Sequence, residues 1–412
     1  MSSSSSSSRL PAGGAAMPAS VVLVCGCLIA ILTFGPRSTM GFFLTPMTTA
    51  NDWSRETFAL AIALQNLLWG MGQPFAGMIA DRYGTWRVLS SGAVLYALAL
   101  VLMSQTTDGT TLQFTAGVLL GLGIAGSAFF MVLAAFARLL PESMRSTAYG
   151  LGTAAGSMGQ LLFAPLGLGF IDTYGYESAL LMLSGCLVLV PLLAIPLRGK
   201  PGPSGGVGGR DQTIREALGE AFRHKSYWLL VAGFFVCGFH VAFITTHLPP
   251  YIVDKGLDPS WGAWAIGLIG AFNVVGSLAA GRLSGIYPKR WVLSVIYFGR
   301  ALAYGLFWLL PTTSTTVVLF AAAAGLLWLS TVPPTQGLVG VMFGTRYIGM
   351  LSGFVFFSHQ VGAFLGVWLG GRLYDTTGTY DGVWLLGIFL GLFAGFVHLP
   401  IKEAPVKRLA PA

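Results

Sequence analysis

Charge is scarce in this chain: Asp, Glu, Lys and Arg make up 9% of its 412 residues, where a soluble globular chain carries about 25%. Acid is scarcer than base, 15 residues against 23. No Asp or Glu falls at the centre of a long apolar run, which argues against carboxylate proton relays and carboxylate-rich cation pockets. Cysteine is limited to Cys25, Cys27, Cys186 and Cys237, all in apolar runs, where they read as small buried hydrophobes. Cys25-Gly-Cys27 is not a metal or redox spacing, so no metal site and no cofactor is expected. There is no P-loop, dinucleotide fingerprint or nucleophile–base pattern, which leaves no basis for an enzyme or a directly ATP-driven pump. No basic motif supports nucleic-acid binding.

What the chain has is apolar length. It is 54% hydrophobic with mean hydropathy +0.73 and 56 glycines. Runs near the roughly 20 residues that cross a bilayer recur throughout. Twelve spans are predicted, within 21–46, 57–79, 87–104, 114–137, 147–169, 177–197, 227–251, 262–284, 291–310, 316–336, 348–370 and 382–399. The first run is too long for a signal peptide and lacks a clear cleavage site. The class is therefore an all-α, multi-pass membrane protein. Residues 1–20 read as a low-complexity tail, 21–197 as one six-helix bundle, 198–226 as a linker, 227–399 as a second bundle and 400–412 as a tail. Within the linker, 211–225 reads as an amphipathic interfacial helix. Eighteen of the 23 basic residues fall on the face that carries both termini, three on the other (Arg55, Lys255, Arg372) and two, Arg37 and Arg300, at membrane depth. That bias predicts cytoplasmic termini and a location in the cytoplasmic (inner) membrane.

The halves echo each other. Ala76–Leu89 resembles Ala280–Leu293 at an offset of 204, and Phe170–Gly175 (FIDTYG) resembles Leu373–Gly378 (LYDTTG) at 203. Two echoes at nearly one offset argue for duplication, and parallel six-span repeats are one transporter plan. Gly77-MIADRYGTW-Arg87 resembles the signature loop between spans two and three of the major facilitator superfamily, with Gly77, Asp81, Arg82 and Gly84 matching. Arg138-LLPESMRSTAY-Gly150 resembles that family's loop between spans four and five. The resemblance implies two pseudo-symmetric six-helix bundles around a central cavity. Phe34–Met47, Leu67–Gly77 and Ser358–Gly366 are similar to bacterial monocarboxylate and oxalate–formate type carriers. Those relatives move small organic acid anions. The arginine that monocarboxylate carriers place within span eight is missing here, and His359 stands where oxalate–formate carriers place a lysine in span eleven.

Arg37 is the leading site candidate. A charge at the bilayer centre costs at least about 2.5 kcal/mol, so it usually faces a cavity. Its rigid fork of donors suits a carboxylate, and Gly35-Pro36 before it can free backbone carbonyls for substrate or water. The competing reading is a structural arginine bonded to those carbonyls. Arg300, in span nine, has the same two readings. His240 and His247 lie a heptad apart in span seven, on one face; His240 is a candidate cavity and proton-linked group, and His247 with Pro249 a gate element. His359, Gln360, Asn273, Phe43 and Tyr149 complete the expected substrate wall, each also readable as packing. Asp81 with Arg82 and Arg87, beside Gly77, is expected to form a conformational charge lock. The predicted function is monomeric secondary transport of a small organic anion by alternating access, with protons as a further partner. An exporter of amphipathic compounds and a non-transporting sensor with a carrier fold fit the same features.

Overall fold

The structure, a computed structural model, describes residues 17–53, 55–199, 212–258 and 260–406. The expected N-terminal tail up to residue 16, the linker over 200–211 and the end from 407 lie outside the described residues. Twelve helical traverses follow one another. Span one is Ala19–Ser38, continued by a tight turn at Met40–Phe43 and by Leu44–Asn51. Span two is Arg55–Tyr83, span three Thr85–Ser104 and span four Gly109–Leu139. Spans five and six form Glu142–Leu187, turned at Gly175. The second half has Lys225–Asp254, Ser260–Ile286, Lys289–Leu309, then Ser314–Leu327 with Val332–Phe343, then Ile348–Thr377 and Asp381–His398, as spans seven to twelve. Ten of the described helices are long and apolar enough to cross a membrane.

Local chemistry sets the ends. Asp108 accepts from the Thr111 amide at 2.9 Å and caps span four, and its bonds to Thr111 hold its carboxyl below the usual range. The linker helix is Ile214–Phe222, shorter than the expected 211–225, because a Thr213–Glu216 capping box starts it. It buries Ala217 and Ala221, the apolar side expected of it. Both echo motifs end on a glycine with positive φ, 79° at Gly175 and 71° at Gly378. Only glycine adopts that geometry without strain, so the repeat preserves a turn. Spans four and ten also break at matching places, Ala128 (ψ 154°) and Trp328–Thr331.

The halves meet through two helix pairs. In the first, Gly77 of span two lies against the Gly349 backbone of span eleven. One turn on, a Cβ at Gly353 would stand 2.6 Å from the Pro74 backbone. In the second, Gly150 of span five and Gly281 of span eight approach as closely, and Asn273 donates to Ser157 at 2.7 Å. Small residues allow such approaches in lipid. Among the described residues, the hydrogen bonds and ring contacts between the two bundles all lie at or on the basic-face side of Asn66 and Gln360. The molecule is clasped on the face that carries the chain ends, and the clasp stops near membrane mid-depth.

Candidate functional site

Aromatic rings close the top of this clasp. Trp69 and Phe130 of the first half meet Phe356 of the second at 4.8 and 4.5 Å between centroids, and Phe130 meets Phe234 at 6.5 Å. Phe34 and Phe129 extend the layer at 5.5 Å from each other. The break at Ala128 directs Phe129 and Phe130 into it.

Arg37 lies on this floor. Its guanidinium carbon is 4.5 Å from the Trp69 ring centroid and 5.5 Å from that of Phe34. Its Nη2 donates to Asn66 Oδ1 at 2.7 Å, and its Nε has no partner among the described residues. No carboxylate pairs with it; Asp81–Arg138 is the one ion pair found among the described residues. The residue remains partly exposed although it sits at membrane depth. Cation–π contacts of this kind contribute about 2 kcal/mol when desolvated. They stabilise the cation without neutralising it. The last-turn carbonyls of this helix are capped: Ser38 donates to Gly35 O at 2.6 Å and Thr39 to Pro36 O at 2.8 Å. The arginine takes neither of these carbonyls and projects to Asn66.

Gln360 adjoins this group. It donates from Nε2 to Asn66 O at 3.1 Å across the halves and accepts at Oε1 from His359 Nδ1 at 3.2 Å. His359 lies between Phe234 and Phe356, at 5.2 and 5.3 Å. The structure thus brings Arg37, Gln360 and His359 to one layer, with Asn66, Trp69 and Phe34 added.

Five other expected wall residues go elsewhere. His240 is 1% exposed and turns into its own bundle, where Nε2 meets Gly387 O at 2.8 Å and the ring lies 4.6 Å from Tyr304. Phe43 and Asn273 are wholly buried and present no surface to a cavity. Asn273 instead accepts from the Leu329 amide at 3.0 Å, inside the span-ten break. Arg300 donates to Leu327 O from Nε and Nη2, at 3.0 and 2.7 Å, and to Trp328 O. Those are the carbonyls left open where the helix Ser314–Leu327 ends, and its negative dipole end suits a cation. These bonds tie Arg300 to backbone carbonyls of its own bundle. Tyr149 lies near the basic face, beside Gly340 and Arg145.

The gate residues are also rearranged. Asp81 is buried and pairs with Arg138 at 3.2 Å, where Arg82 and Arg87 had been expected; both of those are exposed. Asp81 also accepts from the amides of Gly349 and Met350, at 3.2 and 2.7 Å. It thereby caps span eleven across the interface, beside Gly77. His247 bonds Val367 O at 2.9 Å within its own half. The Pro249 side chain lies outside the described residues. Asn66 is one of several polar residues in span two, and Trp69 one turn away carries no separate sequence signal.

The Major Facilitator Superfamily model matches residues 26–367. An uncharacterized MFS-type transporter of Bacillus subtilis (strain 168), YcxA, is 27% identical over 386 residues, covering 89% of this chain and 91% of that protein. Monocarboxylate transporter 13 of Rattus norvegicus is 28% identical over 371 residues, covering 87% and 83%. A solved structure of FucP, a major facilitator transporter in the outward conformation, shares the fold with a TM-score of 0.75 at 15% identity, over 92% of this chain and 98% of that one.

Proposed function

Because the chain belongs to the Major Facilitator Superfamily, and so is a multi-pass transporter and not an enzyme, we propose that it carries small, monocarboxylate-like organic anions by alternating access. The observation that carries this reading is Arg37: a partly exposed cation on an aromatic floor, with Nη2 the one guanidinium nitrogen hydrogen-bonded among the described residues and no acid beside it. A carboxylate docked there would gain charge-assisted hydrogen bonds from the fork. Its charge would be neutralised as the halves close over it. The similarity to monocarboxylate transporter 13 supports the same substrate class.

In this proposal the basic face is cytoplasmic, the protein is a monomer of the inner membrane, and the clasped structure is open to the outside. Gln360 and His359 contact the substrate from the second half. No titratable acid adjoins Arg37 among the described residues, so this reading includes no carboxylate proton relay at the site. The aromatic floor also favours a second reading, export of amphipathic compounds. Counterflow in proteoliposomes against a panel of mono- and dicarboxylates, repeated across pH, tests the choice. Saturable exchange of monocarboxylates is expected. Flux of neutral amphipaths without carboxylate competition would replace the proposal, and absence of any flux would point to a sensor.

A further inference from the structure

On the basic face, where the halves are clasped, a cavity of about 290 Å³ lies between span five, the loop joining spans eight and nine, and the end of span ten. Arg145 and Tyr149 line it from the first half, and Lys289 from the second. Arg145 donates from Nε to Leu140 O at 3.2 Å; its terminal nitrogens make no hydrogen bond among the described residues. Neither Arg145 nor Lys289 makes an ion pair there. Tyr149 is 2% exposed, yet its hydroxyl also makes no hydrogen bond among the described residues. Gly337 leaves room for the Lys289 stem: a Cβ there would stand 2.7 Å from Lys289 Cε. Glu142 is the one acid in the lining and is exposed. The cavity therefore holds two unpaired cations and a buried phenol against one solvated carboxylate.

We propose that this cavity is a second anion site, distinct from Arg37, which takes a small oxyanion such as a phosphate or carboxylate and bridges the halves. Closing the basic face brings Arg145 and Lys289 together, and like charges repel. An anion between them reverses the sign of that term and accepts from Tyr149. It binds only when both halves contribute, so it stabilises the state clasped on this face. In the orientation proposed above, an anion in the cytoplasm would hold the carrier open to the outside. The volume suits a small ligand, at the low end of pocket sizes.

Inorganic phosphate binding to the purified full chain, followed by calorimetry at constant ionic strength, tests this without reference to the transported substrate. Lys289→Gln and Tyr149→Phe should each weaken phosphate, Lys289→Gln by about tenfold, the loss for one charge-assisted bond. Arg37→Gln should leave it unchanged. Asp81→Asn, which loosens the clasp away from the cavity, should also weaken it. Wild-type phosphate affinity in Lys289→Gln would overturn the site, and wild-type affinity in Asp81→Asn would overturn its bridging role. Repeating the titration in nanodiscs of phosphatidylcholine alone and with phosphatidylglycerol separates the sources. Competition by the anionic lipid identifies a headgroup as the natural ligand, and undiminished phosphate binding identifies a soluble anion.

Discussion

Arg37 is held by two ring faces and one amide, none of which takes away its charge. Arg37→Lys keeps a cation but loses the planar fork and the stacking. Uptake kinetics should show KM raised about tenfold or more, the scale of one charge-assisted hydrogen bond, with kcat less affected. The pH profile of binding is a second residue-scale prediction. Affinity should fall as pH drops through the substrate's own pKa, because the anion is the bound form. Two monocarboxylates of different pKa should therefore give displaced profiles; coincident profiles would instead reveal a titrating protein group. Arg37 was legible in the sequence because a charge in an apolar run must find compensation. Its partners were less so. Hydropathy shows that His240 and Arg300 need polar neighbours, but not which way each helix is turned. Both neighbours proved to be backbone carbonyls inside the second bundle.

At the scale of elements, the two helix pairs of the clasp and the break in span ten dominate. Asp81 joins span two to Arg138 and to the start of span eleven. Removing one member of a buried ion pair costs about 3–5 kcal/mol, so Asp81→Ala should shift the carrier away from the clasped state. Faster labelling of a cysteine placed at Met350, with the native cysteines as background, would register the shift. Arg300→Leu should act differently. It leaves the span-ten carbonyls unpaired, at a cost of about 1–3 kcal/mol each. A lower unfolding temperature with an unchanged substrate KM is expected, and a selectively raised KM would return Arg300 to the substrate site. The loop signature marked Asp81 and Gly77 as conformational parts. It could not reveal Arg138, 57 positions away, because that pairing depends on how span four packs beside span two.

For the whole molecule, the twelve traverses and the duplication were readable from hydropathy and two echoes. The structure adds physical content to the duplication in the paired glycine turns at Gly175 and Gly378 and the paired breaks in spans four and ten. The line where the clasp ends was not readable, since it depends on contacts between residues far apart in sequence, such as Asn66 with Gln360. That line sets Arg37 at the meeting of the closed and open parts of the molecule. The most direct test of the account is equilibrium binding of a transported monocarboxylate to the purified full chain, wild type against Arg37→Gln. Loss of the fork's charge-assisted bonds predicts affinity about 100-fold weaker in the variant, with the fold intact by thermal unfolding. Equal affinity in the two proteins would contradict it.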